Sequence, residues 1–179
     1  MSAPEGEWRA LMDILEEIRQ TKANREKYLC SFDEETWVCR FNNPPQDVKD
    51  VFVSIPHNLA NTLYTITNAL DRKTLSYYVM ERTHSTAQQL ICLACRYISH
   101  SKAVVVEASE NNTNIGLEMG MAHARGKPVI VLTKSGAETA SMVKGLHWVQ
   151  YDDTELEELG RKLEQALDSL RIRSVSEEG

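Results

Sequence analysis

Short, uninterrupted apolar runs alternate with segments of helical periodicity over residues 50–171. The runs that predict strands are residues 51–55, 75–80, 103–106, 129–132 and 148–151. The segments whose apolar side chains recur at helical spacing are residues 59–70, 86–99, 115–124 and 154–171. Strands without apolar–polar alternation are typically buried on both faces, and intervening helices favour parallel pairing. The pattern therefore predicts an α/β fold with a flavodoxin-like, doubly wound, five-stranded parallel sheet.

The last of these helices has a recognisable start signal. Thr154 is followed three residues later by Glu157, a spacing that predicts a capping box. We therefore expect this helix to begin at Thr154.

The chain before residue 50 follows a different pattern and is predicted to be an N-terminal extension. Apolar side chains at helical spacing predict a helix over about residues 7–28, and two short extended pieces follow around an acidic turn. Pro44 and Pro45 then interrupt regular structure. The predicted divisions are an extension over residues 1–49, a main domain over residues 50–173 and a disordered tail over residues 174–179.

Composition and charge narrow the class of protein. Of the 179 residues, 42% are hydrophobic, and the net charge is −6 at pH 7. A negative net charge argues against binding a nucleic-acid polymer through its phosphates. Residues 51–150 nevertheless carry a small excess of basic side chains, which suits a small anionic ligand such as a nucleotide. Because the sequence shows neither a membrane-spanning stretch nor a secretory signal, we expect a cytoplasmic protein without membrane contact.

Several common functional motifs are missing from the sequence. It contains no Gly-rich dinucleotide loop, no phosphate-binding P-loop and no serine nucleophile elbow. The four cysteines are poorly spaced for zinc and too few for a disulfide scaffold; they are Cys30, Cys39, Cys92 and Cys95. We expect buried thiols here and no metal site.

Polar residues follow the predicted strands at their carboxyl ends, where parallel sheets bind ligands. The residues expected to contact a ligand there are Ser54, Ile55, His57, Asn58, Glu81 and Glu107. After the strand at residues 103–106, an Asn-rich loop leads into a helix. Asn112 and Asn114 can cap that helix or contact a ligand, and Gly116 allows close approach to the backbone.

Glu118 is the candidate catalytic residue of this segment. It stands among Ile115, Leu117 and Met119, so we expect its carboxylate along a partly apolar wall. A carboxylate held in that way can act as a nucleophile or stabilise an oxocarbenium ion. The alternative interpretation is an ordinary solvated carboxylate on a helix surface.

The same segment carries a family resemblance. Asn112-Thr-Asn-Ile-Gly-Leu-Glu-Met-Gly-Met-Ala, followed by Gly126-Lys-Pro-Val-Ile, resembles the nucleoside 2-deoxyribosyltransferase superfamily, which includes nucleotide N-glycosidases. The resemblance covers roughly residues 50–152. It implies that Glu118 acts at C1′ of the sugar as the base leaves, that Asn112 contacts sugar or phosphate, and that Glu107 faces the same rim. It also implies a homo-oligomer whose neighbouring subunits complete each pocket, and chemistry that needs no cofactor.

One position departs from the family pattern. Ala94 stands where family members usually carry an Asp that helps to protonate the base or orient the catalytic Glu. Acid assistance would then have to come from Glu81, Glu107 or His57. This departure keeps open a catalytically silent domain that binds or senses nucleotides.

A second resemblance concerns the first strand of the main domain. Asp50-Val-Phe-Val-Ser is similar to the opening strand of Toll/interleukin-1 receptor (TIR) domains that cleave NAD. Such domains use one Glu on a helix and do not need the missing Asp. The sequence thus predicts an enzyme that cleaves or transfers at an N-glycosidic bond, with a silent nucleotide-binding domain and an NAD hydrolase in defence or signalling as alternatives.

Overall fold

The computed structural model describes residues 32–33, 38–39, 45, 47–80, 87–110, 112–137 and 147–173. The chain divides into two compact units, residues 1–43 and 44–179. In the first unit, β1 (Phe32–Asp33) pairs antiparallel with β2 (Val38–Cys39), which confirms the two short extended pieces. The predicted helix over residues 7–28 and the tail over residues 174–179 lie outside the described residues, and the domain boundary at residue 50 stays a prediction.

The second unit contains a five-stranded parallel sheet and the helices that cover it. Its strands are β3 (Val51–Ser54), β4 (Tyr77–Val79), β5 (Ala103–Glu107), β6 (Val129–Lys134) and β7 (His147–Tyr151). Its described helices are α1 (Ala60–Arg72), α2 (Ala87–His100), α3 (Thr113–Ala124) and α4 (Leu156–Ser169). The strand order is β4-β3-β5-β6-β7, and every pairing is parallel. This confirms the predicted doubly wound, flavodoxin-like fold.

The described helices cover the sheet on both faces. Helices α1 and α4 bury Ile66 and Leu163 against the face that carries Val53 and Val105. Helices α2 and α3 cover the opposite face, which carries Phe52 and other apolar side chains. Strands buried on both sides explain why β3, β5 and most of β6 read as continuous apolar runs rather than as alternating ones. Within the described residues, no helix is long and apolar enough to cross a bilayer.

The direction of chain progression reverses at β3, and this reversal creates the natural ligand position. From β3 the chain passes through α1 to β4 on one side, then returns through α2 to β5 on the other side. Because crossover connections keep one hand, the two helices lie on opposite faces and leave a crevice beyond the ends of β3 and β5.

At the opposite end of the sheet, Asp50 ties three strands together. Its Oδ2 accepts hydrogen bonds from Ser76 N at 2.9 Å and Ser76 Oγ at 2.7 Å, just before β4. Its backbone carbonyl accepts from Lys102 N at 2.8 Å, just before β5. With Asp50 only 2% exposed, these bonds set the register of β3 between its two neighbours.

The predicted capping box at the last helix is wrong. Helix α4 begins at Leu156, its N-cap is Glu155, and no side chain caps it. Thr154 instead donates from its backbone N and its hydroxyl to Asp152 Oδ1, at 2.9 and 2.7 Å. A carboxylate two residues earlier thus competes successfully for the groups that a capping box would use.

Candidate functional site

A cleft of about 600 Å³ opens beyond the carboxyl end of β3, between α2 and α3. This volume lies within the range of pockets that hold small molecules. Its lining residues are Ser54, Ile55, Pro56, His57, Asn58, Met80, Leu90, Ile91, Ala94, Glu110, Asn112, Asn114, Ile115, Leu117, Glu118 and Met121. The cleft therefore coincides with the crevice that the strand order creates.

Glu118 lies on the inward face of α3, and it is not a solvated surface carboxylate. The buried residues of this helix are Ile115, Glu118 and Ala122, whose three- and four-residue spacing defines one stripe. Ile115 and Ala122 pack into the apolar cluster beneath the helix, while Glu118 lies between them and lines the cleft. Only 9% of Glu118 is exposed. The predicted position on a partly apolar wall is confirmed.

The Glu118 carboxylate is held by a residue from the sheet. Ser54, the last residue of β3, donates its hydroxyl hydrogen to Glu118 Oε2 in a short, buried hydrogen bond. A buried carboxylate is strongly unfavourable unless donors satisfy it, so this bond offsets part of the desolvation of Glu118. It also joins β3 to α3 across 64 residues of sequence.

The amino end of α3 opens into the same cleft. Asn112 is its N-cap, with extended backbone angles, and its side-chain oxygen accepts a hydrogen bond from Asn114 N at 3.0 Å. The structure thus confirms the capping role predicted for Asn112. Both Asn side chains line the cleft, which places amide groups and the positive end of the helix dipole near its mouth.

One wall of the cleft is apolar and comes mainly from helix α2. Leu90, Ile91 and Ala94 line it from α2, and Met121 lines it from α3. Ile91 is 44% exposed, although its neighbours pack inward. This wall was not among the site residues predicted from the sequence. The signal was present, because apolar side chains on α2 extend beyond the single stripe needed for core packing.

The structure brings together most of the residues that the sequence singled out. Those that line the cleft are Ser54, Ile55, His57, Asn58, Asn112, Asn114 and Glu118. Gly116 lies on the exposed side of α3 and does not line the cleft; a Cβ there would meet no atom within 4 Å. Glu81 lies outside the described residues.

Glu107 does not face the cleft, contrary to the expectation from sequence. Glu107 lies two residues after Val105 on β5, so both side chains point to the same face of the sheet, the one covered by α1 and α4. Glu107 is fully buried there. There its Oε1 accepts hydrogen bonds from the Tyr151 hydroxyl at 3.0 Å and from the Ser109 hydroxyl. Burial of the phenol and the neighbouring Glu107 charge raise the pKa of Tyr151 to about 12. Glu107 therefore belongs to a structural network beneath α1 and α4.

Helix α2 carries two of the four cysteines, Cys92 and Cys95. Cys92 and Cys95 are both half-buried, and Cys95 Sγ accepts a hydrogen bond from Arg125 at 3.1 Å. Among the residues that the structure describes, no group of three or more His, Cys, Asp or Glu side chains could hold a metal ion.

Comparisons with known proteins identify the fold. The TIR domain of the Toll-related receptor TRR-2 from Hydra magnipapillata superimposes with a TM-score of 0.54 at 13% identity, over 69% of this chain and 99% of that one. A CMP N-glycosidase, BcmB, from Clostridium botulinum gives 0.49 at 17% identity, over 63% of this chain and 97% of that one. A TIR-STING receptor from C. gigas, in complex with 2′,3′-cGAMP, gives 0.47 at 16% identity, over 68% and 42%.

No protein-family model and no curated protein matches this chain. The chain thus shares the flavodoxin-like fold of the Hydra TIR domain, and its function has to be argued from the cleft itself.

Proposed function

We propose that this protein cleaves, or transfers at, the N-glycosidic bond of a nucleoside or nucleotide, with Glu118 acting at C1′ of the sugar. The observation that carries the proposal is the placement of Glu118. Its carboxylate lies on the inward face of α3, is held by Ser54, and lines a cleft large enough for a nucleoside. Burying a carboxylate costs folding free energy, so a buried carboxylate that lines a cleft is better explained by a catalytic role than by a contribution to stability.

The two walls of the cleft suit the two parts of such a substrate. The apolar wall from α2, formed by Leu90, Ile91 and Ala94, offers a surface for a flat base. Asn112 and Asn114 at the amino end of α3 offer amide groups to sugar hydroxyls or a phosphate. A substrate spanning both walls would place C1′, the sugar carbon bonded to the base, near Glu118.

In the proposed reaction, the bond between C1′ and the base nitrogen breaks and its electron pair leaves with the base. The Glu118 carboxylate stabilises the positive charge that develops at C1′, or forms a bond to it. Water or an acceptor nucleobase then attacks C1′ and loses a proton, which the departed base takes up, and Glu118 is released as a carboxylate. The same steps describe hydrolysis and transfer, since only the attacking group differs.

A second function, a domain that binds a nucleotide without cleaving it, is favoured by Ala94. This residue lines the cleft and is 2% exposed, so the wall that would face the base presents a methyl group there. A base that needs protonation in order to leave would receive no proton from that position.

The test is release of free base from a panel of deoxynucleotides, ribonucleotides and NAD, measured by chromatography. We expect wild type to release base and Glu118→Gln to release it about 10²- to 10⁴-fold more slowly, because the amide cannot carry the negative charge. Glu107→Gln is the matched control: it alters another buried carboxylate, on the opposite face of the sheet, and should leave base release within about threefold of wild type.

The outcomes separate the two functions. Base release that depends on Glu118 supports the enzyme, and the preferred compound separates deoxynucleoside chemistry from NAD cleavage. If every compound stays intact while one raises the melting temperature, as a ligand selective for the folded state must, the domain is a binder and the proposed reaction is wrong.

A further inference from the structure

Ser54 occupies a special place in the sheet. It is the last residue of β3, is 2% exposed, and pairs with Val106 of β5 across the point where the strand order reverses. It shares the face of Phe52, which is the face that α2 and α3 cover. Pairing of β3 with β4 and β5 fixes the backbone that carries this hydroxyl.

The Ser54 hydroxyl donates its hydrogen to Oε2 of Glu118, the candidate catalytic residue. Glu118 is carried by a helix, and a glutamate side chain has three rotatable bonds that helix packing does not fix. The bond to the sheet restricts those rotations, because moving the carboxylate away would break a charge-assisted hydrogen bond in a buried setting.

From this geometry we infer that Ser54 is a positioning residue: it orients the Glu118 carboxylate toward the sugar and helps to keep it ionised. The inference rests on the proposed function, because it assigns Ser54 a task in that reaction. It differs from a role in substrate binding, in which the hydroxyl would contact the ligand itself. The two roles predict different kinetics, since positioning acts on the chemical step and ligand contact acts on affinity.

The test compares wild type with Ser54→Ala and Ser54→Thr in the base-release assay on the preferred substrate. Ser54→Ala removes one oxygen, so the variant should fold, and its melting temperature verifies this. We expect kcat to fall about 10-fold, the typical effect of losing a hydrogen bond to a charged group, with KM within about twofold of wild type. Ser54→Thr keeps the hydroxyl and should restore most of kcat.

A pH profile provides a readout that a merely structural role would not move. The hydroxyl stabilises the ionised carboxylate, so its loss should shift the acid limb of the kcat profile of Ser54→Ala to higher pH. Ser54→Thr should return the acid limb to its wild-type position.

Each outcome bears on a different claim. If wild type is active and Glu118→Gln is not, but Ser54→Ala keeps the wild-type kcat and acid limb, the positioning role is wrong while the proposed function stands. A rise in KM with unchanged kcat also overturns it, in favour of substrate contact. If wild type releases no base, the proposed function fails, and the inference fails with it.

Discussion

Replacing Ala94 by Asp tests whether the cleft lacks a proton donor for the leaving base. Ala94 lies on α2 and lines the same cleft as Glu110 and Glu118, so an Asp there would add a third carboxylate to that cleft. Two carboxylates sharing a small cleft favour retention of a proton by one of them, and a protonated carboxyl group is what a general acid requires.

The size of both effects can be worked out from the setting of the residue. Ala94 is 2% exposed and packs in the apolar cluster with Phe52 and Ile98, so a buried polar group should destabilise the fold by about 1–3 kcal/mol. For a chain of this length, that loss lowers the melting temperature by roughly 2–12 °C. General acid assistance to a base that leaves with a proton accelerates its release by about 10²- to 10⁴-fold.

The assay uses two substrates that differ in their need for a proton. A purine or pyrimidine deoxynucleotide releases its base more easily when the base is protonated, whereas the nicotinamide of NAD is already cationic and leaves as a neutral molecule. We expect Ala94→Asp to accelerate base release from the deoxynucleotide and to change NAD cleavage by less than about threefold. Ala94→Asn, which has the same shape without the acid, should accelerate neither.

Two results would refute this reasoning. One is an equal acceleration of both substrates by Ala94→Asp, and the other is an equal gain from Ala94→Asn. Either result would mean that the substitution acts through the shape or polarity of the cleft and not through proton donation.

Two further predictions concern the fold that carries the site. Asp50→Ala should lower the free energy of unfolding by about 2–4 kcal/mol in urea titrations, because it leaves Ser76 N without its buried acceptor. The control, Asp47→Ala, removes an exposed ion pair and should lower the free energy of unfolding by less than about 1 kcal/mol. Equal losses from the two variants would contradict the role assigned to Asp50. Because the Tyr151 pKa is raised to about 12 when folded and is near 10 when unfolded, the unfolded state ionises first, so this residue's contribution to stability is complete below pH 10 and is lost as the pH rises to 12. Unfolding titrations of wild type and Tyr151→Phe over pH 9–12 should show a stability difference that shrinks with pH, and a constant difference would be inconsistent with the buried bond to Glu107.

The order and type of the elements were predictable because they depend on local pattern. Continuous apolar runs are the mark of strands that helices cover on both faces, and this property leaves its trace in a few neighbouring residues. The exact ends of the elements were harder to predict from the sequence, since they depend on competing polar contacts. Helix α3 begins at Thr113, two residues before the predicted start, whereas Thr154 bonds to Asp152 and stays outside α4.

The candidate site was only partly predictable. Most of the residues predicted at the carboxyl ends of strands line the cleft, because parallel sheets place these ends along one edge. Glu107 satisfied that rule, yet its side chain enters the face of the sheet opposite to the one on which Glu118 lies. The apolar wall from α2 was not predicted, because its side chains are of the same types as those that fill a core, and only the extra width of the apolar face of α2 sets them apart.

The sequence by itself determined the fold class and the helix that bears Glu118, and it offered Asn112 as one of two candidate caps, because these depend on the local pattern of apolar and polar residues. Only the tertiary structure decided which carboxylate enters the cleft and which residue holds it. The alternation of side chains along β5 turns Glu107 away, and the reversal of strand order at β3 brings Ser54 to Glu118. Both outcomes depend on which helix covers which face of the sheet, and that is fixed by the handedness of crossovers between distant segments.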